Sequence, residues 1–146
     1  MNLVVPDASV AAKWFLPRLD ETLASEAIGI LRKYERGDLE FIVPGIFWAE
    51  IGNIFWKATR FGRWPPEAAL AATGEMLDRR FPTVADSELL SDAVSVALAA
   101  KQTVYDSLYI ALALRYDVQM ITADQRLANS VAATLPVKWL GAAPFA

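Results

Sequence analysis

The chain has 146 residues, 55% of them hydrophobic, with 14 Lys and Arg against 17 Asp and Glu and a formal net charge of −3. That length suits a single domain, 1–146, with a sizeable core rather than a disordered chain. With no Cys and no His, the sequence excludes a disulfide scaffold, a Cys/His zinc site, a Cys nucleophile, a Ser-His-Asp triad and His-based RNA cleavage. Any catalysis therefore falls to carboxylates. No run of 18 apolar residues marks a membrane span. The start MNLVVPD lacks the basic and apolar regions of a signal peptide. The expected compartment is the cytoplasm, with no membrane partner.

The elements alternate along the chain. LVV after Met1 reads as a buried strand ending at Pro6-Asp7, followed by a short helix SVAAKWFL that Pro17 limits. DETLASEAIGILRKYERG is an amphipathic helix with Leu23, Ala27, Ile30, Leu31 and Tyr34 on one face, capped by Asp20 or Thr22 and ended by Gly37. EFIVP reads as one strand, and GIFWAEIGNIFWKATRFG as a helix ending near Gly62. PPEAALAATGEMLDRR opens on Pro-Pro, which suits a first turn. FPTVA is a third strand, followed by helices ELLSDAVSVALAAK and VYDSLYIALALRYD. The strand VQMIT, the helix ADQRLANSVAATL and the strand VKWL complete the chain. Strands alternating with helices predict an α/β fold with a parallel sheet.

In such sheets, ligands bind beyond the carboxyl ends of the strands. Asp7 and Asp124 follow two of the strands, and Asp106 opens a helix toward the same edge. Glu50 sits among Phe47, Trp48, Ile51, Ile54 and Phe55, where a carboxylate needs either a solvent stripe or a partner. Each of the three aspartates also suits a helix cap. If all four acids converge, their mutual repulsion amounts to several kcal/mol. Protons or a cation must relieve it. Oxygen-only ligands suit Mg²⁺ or Mn²⁺, ions that support phosphodiester hydrolysis without His or Cys.

The segments VVPDASVAAKWFLP, VPGIFWAEIGNIFWKA and TVYDSLYIALALRYDVQMITADQRLA resemble the PIN-domain family, and within it the VapC-type toxins of toxin–antitoxin pairs. The resemblance covers nearly the whole chain, in order. It implies a three-layer α/β/α sandwich with a central parallel sheet. It also implies a Mg²⁺- or Mn²⁺-dependent endoribonuclease restrained by a cognate antitoxin. By the same resemblance Asp7, Glu50, Asp106 and Asp124 match the acidic quartet. Ser9 and Thr122 match supporting hydroxyls, and Asn53 matches a further site position. Some members carry another acid just after the last Asp; here Gln125 and Arg126 stand there.

Lys13, Arg18, Lys57, Arg60, Arg63 and Arg126 flank the acids in sequence and are candidates to track an RNA backbone. Trp14, Phe15, Trp48, Trp56 and Trp64 crowd the first half. A domain this small struggles to bury them all, so some are expected at a homodimer surface, a larger assembly or an antitoxin groove. Arg79 and Arg80 read as a helix end. Two other readings remain open. One is a catalytically silent PIN-like binding module. The other is a haloacid-dehalogenase-like phosphatase, against which Ser9 stands where a second acid is needed.

Overall fold

Short β-branched and apolar runs build the sheet, and periodic apolar faces build the helices that cover it. In the computed structural model, which describes residues 2–142, β1 spans Asn2–Pro6, β2 Leu39–Phe41, β5 Gln119–Thr122 and β6 Val137–Trp139. These strands lie side by side in the order β2-β1-β5-β6, every pairing parallel. Parallel neighbours need crossover connections, and such crossovers are right-handed. From β1 the chain moves one way to β2, then the opposite way to β5 and β6. The early helix α2 (Ala24–Glu35) therefore packs on β2, while α6 (Val104–Tyr116) and α7 (Gln125–Val131) cover β1, β5 and β6. The result is a central parallel sheet flanked by helices, as the alternation of elements predicts.

The stretch EFIVP is two strands rather than one. Ile42 N–H still bonds to Val4 O on β1, but β3 (Val43–Pro44) then turns away to pair with β4 (Thr83–Val84) in a separate two-stranded sheet. Val43 N–H bonds to Pro82 O and Gly45 N–H to Val84 O. The missing N–H of Pro44 falls between them, where this ladder needs no donor. The remaining helices are α1 (Ala8–Ala12), α3 (Ile46–Arg60), α4 (Pro66–Asp78) and α5 (Asp86–Ala100). Helix α1 is shorter than SVAAKWFL suggests. Helix α2 starts at Ala24, with Leu23 at its cap position and no side-chain cap from Thr22. It ends as expected, with Gly37 at φ 82° closing the turn.

Most of the aromatic residues are structural. Phe81, 4% exposed, lies with its ring centroid 5.3–6.2 Å from those of Trp14, Tyr34, Phe41, Phe47 and Trp48. Trp14 also stacks on Phe41 and donates its indole N–H to Ala27 O. Trp64 and Phe15 both pack edge-on against Phe55. Of Trp14, Phe15, Trp48, Trp56 and Trp64, Trp56 is the exposed one, with Arg60 over its ring, and Phe61 at the end of the same helix is exposed as well. Arg79, at the end of α4, lies over Trp14 and within 3.7 Å of Glu35. Among the described residues no helix is long and apolar enough to cross a membrane.

Because so many rings meet on Phe81, Phe81→Ala is expected to cost about 3–5 kcal/mol of stability by leaving a cavity. Urea unfolding measures this. A loss below about 1 kcal/mol would mean that the cluster closes over the gap.

Candidate active site

Strands β1 and β5 lie on either side of the point where the winding reverses, the position at which open parallel sheets form a crevice beyond their carboxyl ends. Pro6 pairs with Ile121, and Asp7 N–H extends the ladder by bonding to Ile121 O at 3.0 Å. Asp7 thus leaves the sheet beside the end of β5. Its carboxylate caps α1 by accepting from Val10 N–H at 3.2 Å. Ser9 donates its hydroxyl to the same oxygen of Asp7 at 2.5 Å and accepts from Ala123 N–H at 3.1 Å. The hydroxyl of Thr122, fully buried, bonds to Asp7 and accepts from Asp124 N–H. Two hydroxyls therefore stitch the exits of β1 and β5 together around one buried carboxylate.

Asp124 caps α7 by accepting from Leu127 N–H. Capping and facing the cleft are compatible here, because a carboxylate has two oxygens. Asp106 is not the cap of its helix. Thr103 holds that position, and its hydroxyl accepts from Asp106 N–H at 3.1 Å. That leaves the Asp106 carboxylate free of capping. Glu50 comes from the second turn of α3. Gly45 and Asp86 set where α3 begins: Asp86 accepts from Ile46 N–H at 3.1 Å, supplying a cap that Gly45 lacks.

Asp7, Glu50, Asp106 and Asp124 line one cleft of about 470 Å³, together with Ser9, Asn53, Lys57, Tyr105 and Tyr109. Thr122 lies beneath it. A larger cavity of about 1050 Å³ surrounds the strand starts, among Leu3, Leu39, Val118 and Gln119, and none of the four acids reaches it. The smaller cleft is the chemically loaded one. Burial is the main force on its acids. It pushes Asp7 up to about 6, against the hydrogen bonds from Ser9, Thr122 and Val10, and the charge of Glu50 adds to the rise. Burial also raises Glu50; a hydrogen bond from Tyr109 opposes this, while Asp106 and Asp86 reinforce it. Asp106 is raised by burial and by the charge of Asp124, with Thr103 opposing.

The donors are all oxygens, which fits a hard divalent cation such as Mg²⁺ or Mn²⁺. Among the described residues no three acids stand close enough to form a ready-made cage.

The basic candidates divide. Lys57 lines the cleft. Lys13 is buried and paired with Glu21 at 3.1 Å, and Arg63 holds the other oxygen of Glu21 at 2.6 Å. Arg60 lies over Trp56, and Arg18 and Arg126 are exposed away from the cleft lining. Sequence reasoning missed Tyr109, Asp86 and Thr103. Only Thr103 left a local signal, a Thr three residues before an Asp at a helix start.

The sequence pattern of the PIN domain matches residues 4–132, a span that holds all four acids. This chain belongs to the PIN-domain family. Ribonuclease VapC3 of Pyrobaculum aerophilum is 30% identical over 131 residues, covering 88% of this chain and 94% of that one. Solved structures share the PIN fold at lower identity. VapC20 of Mycobacterium tuberculosis, described as a sarcin-ricin loop cleaving toxin, has a TM-score of 0.63 at 14% identity, covering 90% of this chain and 95% of that one. A toxin–antitoxin complex from Klebsiella pneumoniae contains a chain with a TM-score of 0.62 at 16% identity, covering 92% of this chain and 95% of that one.

The burial of Asp7 predicts a stability cost in this PIN domain. Its folded-state pKa of about 6 lies above the ordinary carboxylate value of 3.8. The folded state therefore holds the proton more tightly, and stability falls as pH rises from about 4 to 6 and stays lower above that. In chelator at pH 7.5, Asp7→Asn should be more stable than the parent by about 1–3 kcal/mol. The gain should shrink toward pH 4. Urea unfolding at the two pH values measures both effects, and an Asn variant less stable at pH 7.5 would contradict the burial argument.

Proposed function

We propose that this chain is a one-domain, divalent-metal-dependent endoribonuclease, the toxin of a toxin–antitoxin pair. The observation that carries the reading is the convergence on one cleft of four carboxylates from four separate elements, at the reversal point of a parallel sheet. The kinship with Ribonuclease VapC3 supplies the substrate class, and the Klebsiella complex the kind of partner.

Asp7, Asp106 and Asp124 would hold Mg²⁺ or Mn²⁺, with Glu50 directed toward it through water. Such an ion, when bound, acidifies a coordinated water and offsets charge developing on the phosphate. The chain's own groups orient and exclude. Ser9 and Thr122 fix the Asp7 carboxylate in one setting, as partners of metal ligands do. Glu50, whose proton affinity is raised, is suited to take a proton from the attacking water. Lys57, with Asn53 one turn before it on α3, lines the cleft and attracts the RNA backbone past an otherwise repulsive acidic wall. The antitoxin silences the cleft by covering it, with a cation facing the acids. A homodimer is part of the same reading. It is favoured by the exposed stripe Leu90, Val94 and Leu98 on α5, spaced one helical turn apart.

Purified, partner-free protein should cut RNA at discrete sites in Mg²⁺ or Mn²⁺, and EDTA should stop it. Asp7→Asn should lower the rate on the order of 100-fold or more. Mapping new 5′ ends across a total RNA pool reads both effects. Cleavage that survives EDTA or the variant would sink the metal mechanism. Absence of cleavage in the parent would favour a silent binding module. Lys57→Ala should weaken binding of single-stranded RNA broadly across sequences. It should also lower the slope of log affinity against log salt by about one, measured by fluorescence anisotropy.

A further inference from the structure

Tyr109 is a buried residue with a polar end in the cleft. Its residue exposure is 1%, and it follows Asp106 by one turn of α6. Its hydroxyl donates to Glu50 Oε1 at 2.5 Å and accepts from the backbone N–H of Ala8, next to Asp7. One phenol therefore joins α1, α3 and α6, the elements that begin at Asp7, carry Glu50 and carry Asp106.

A buried tyrosine hydroxyl commonly finds some partner, so the simplest reading makes Glu50 a convenience for Tyr109. The surroundings argue for the reverse. A backbone carbonyl would satisfy the hydroxyl at lower cost than a carboxylate drawn into an acidic pocket. Glu50 is only partly buried and would otherwise swing about three rotatable bonds. The charge-assisted bond to a rigid phenol removes that freedom by fixing one of its two oxygens.

Resting on the reading above, we propose that Tyr109 is a positioning residue. It pins one oxygen of Glu50 and so holds the carboxylate in one setting, turned to meet a cation in the cleft directly or through a water.

The test is Mn²⁺ binding by calorimetry to the parent, Tyr109→Phe, Glu50→Gln and the double variant, with RNA absent. Each single variant should bind Mn²⁺ about 10-fold more weakly or more. The double should be no weaker than Glu50→Gln, because Tyr109 acts through Glu50. Tyr109→Phe affinity equal to the parent's would overturn the proposal. So would an equal loss in both backgrounds, which is the mark of a packing role. Circular dichroism of the metal-free proteins checks folding; should Tyr109→Phe not fold, Tyr109→Met takes its place in the same cycle. A parent that binds no Mn²⁺ at all would instead remove the metal reading, and this proposal with it.

Discussion

The parallel pairing of β1 with β5 is the constraint on which the rest depends. These strands are neighbours in space but more than a hundred residues apart in the chain, so the pairing forms only after everything between them has been threaded over the sheet. Its register, Pro6 against Ile121, decides that the chain exits at Asp7 and Asp124 emerge side by side. A slip by one residue would turn Asp7 away and bring an apolar side chain to the edge. Ser9 and Thr122 lock that register with side chains, since each bonds across the junction between the two strands.

The cleft illustrates how a fold accommodates groups that it would be more stable without. An almost fully buried Asp and a half-buried Glu beside further acids oppose folding through desolvation and mutual repulsion. The core compensates. Its contiguous cluster runs from the strands through Phe41, Phe47, Phe55 and Phe81 to Tyr109 and Leu112. Trp14, Phe15, Trp48 and Trp64, from the aromatic-rich first half of the sequence, pack against it and help to stabilise a molecule that carries buried charge.

Much of this architecture was legible in the sequence, because the signals concerned are local. Apolar periodicity with Gly37, Gly62 and the Pro65-Pro66 pair marked the helices, and acids directly after short β-branched runs marked the edge of the sheet. What escaped was long-range. Nothing in EFIVP announces that Ile42 is the last residue to pair with β1 and that Val43 belongs to another sheet. The bond from Tyr109 to Glu50 joins residues 59 positions apart, and within its own helix Tyr109 reads as one more apolar position. The pairing of Lys13 and Arg63 with Glu21 is equally distant in sequence, so charges that look available along the chain are already engaged. Which tryptophans would be buried was equally hidden, because Phe81, which packs against Trp14 and Trp48, lies more than thirty residues further along the chain.

The cap on α3 has a consequence of its own. Glu50 stands in the second turn of a helix whose first turn is held by Asp86, and a Cβ placed on Gly45 would lie 3.3–3.4 Å from that carboxylate. The two positions are therefore coupled in space. A side chain at 45 requires the Asp86 carboxylate to give by a few tenths of an ångström, and any larger shift at 86 weakens the anchor of α3. Among descendants of this sequence, substitutions at these two positions should appear together, and variants that separate them should find the Glu50 helix starting at a different residue.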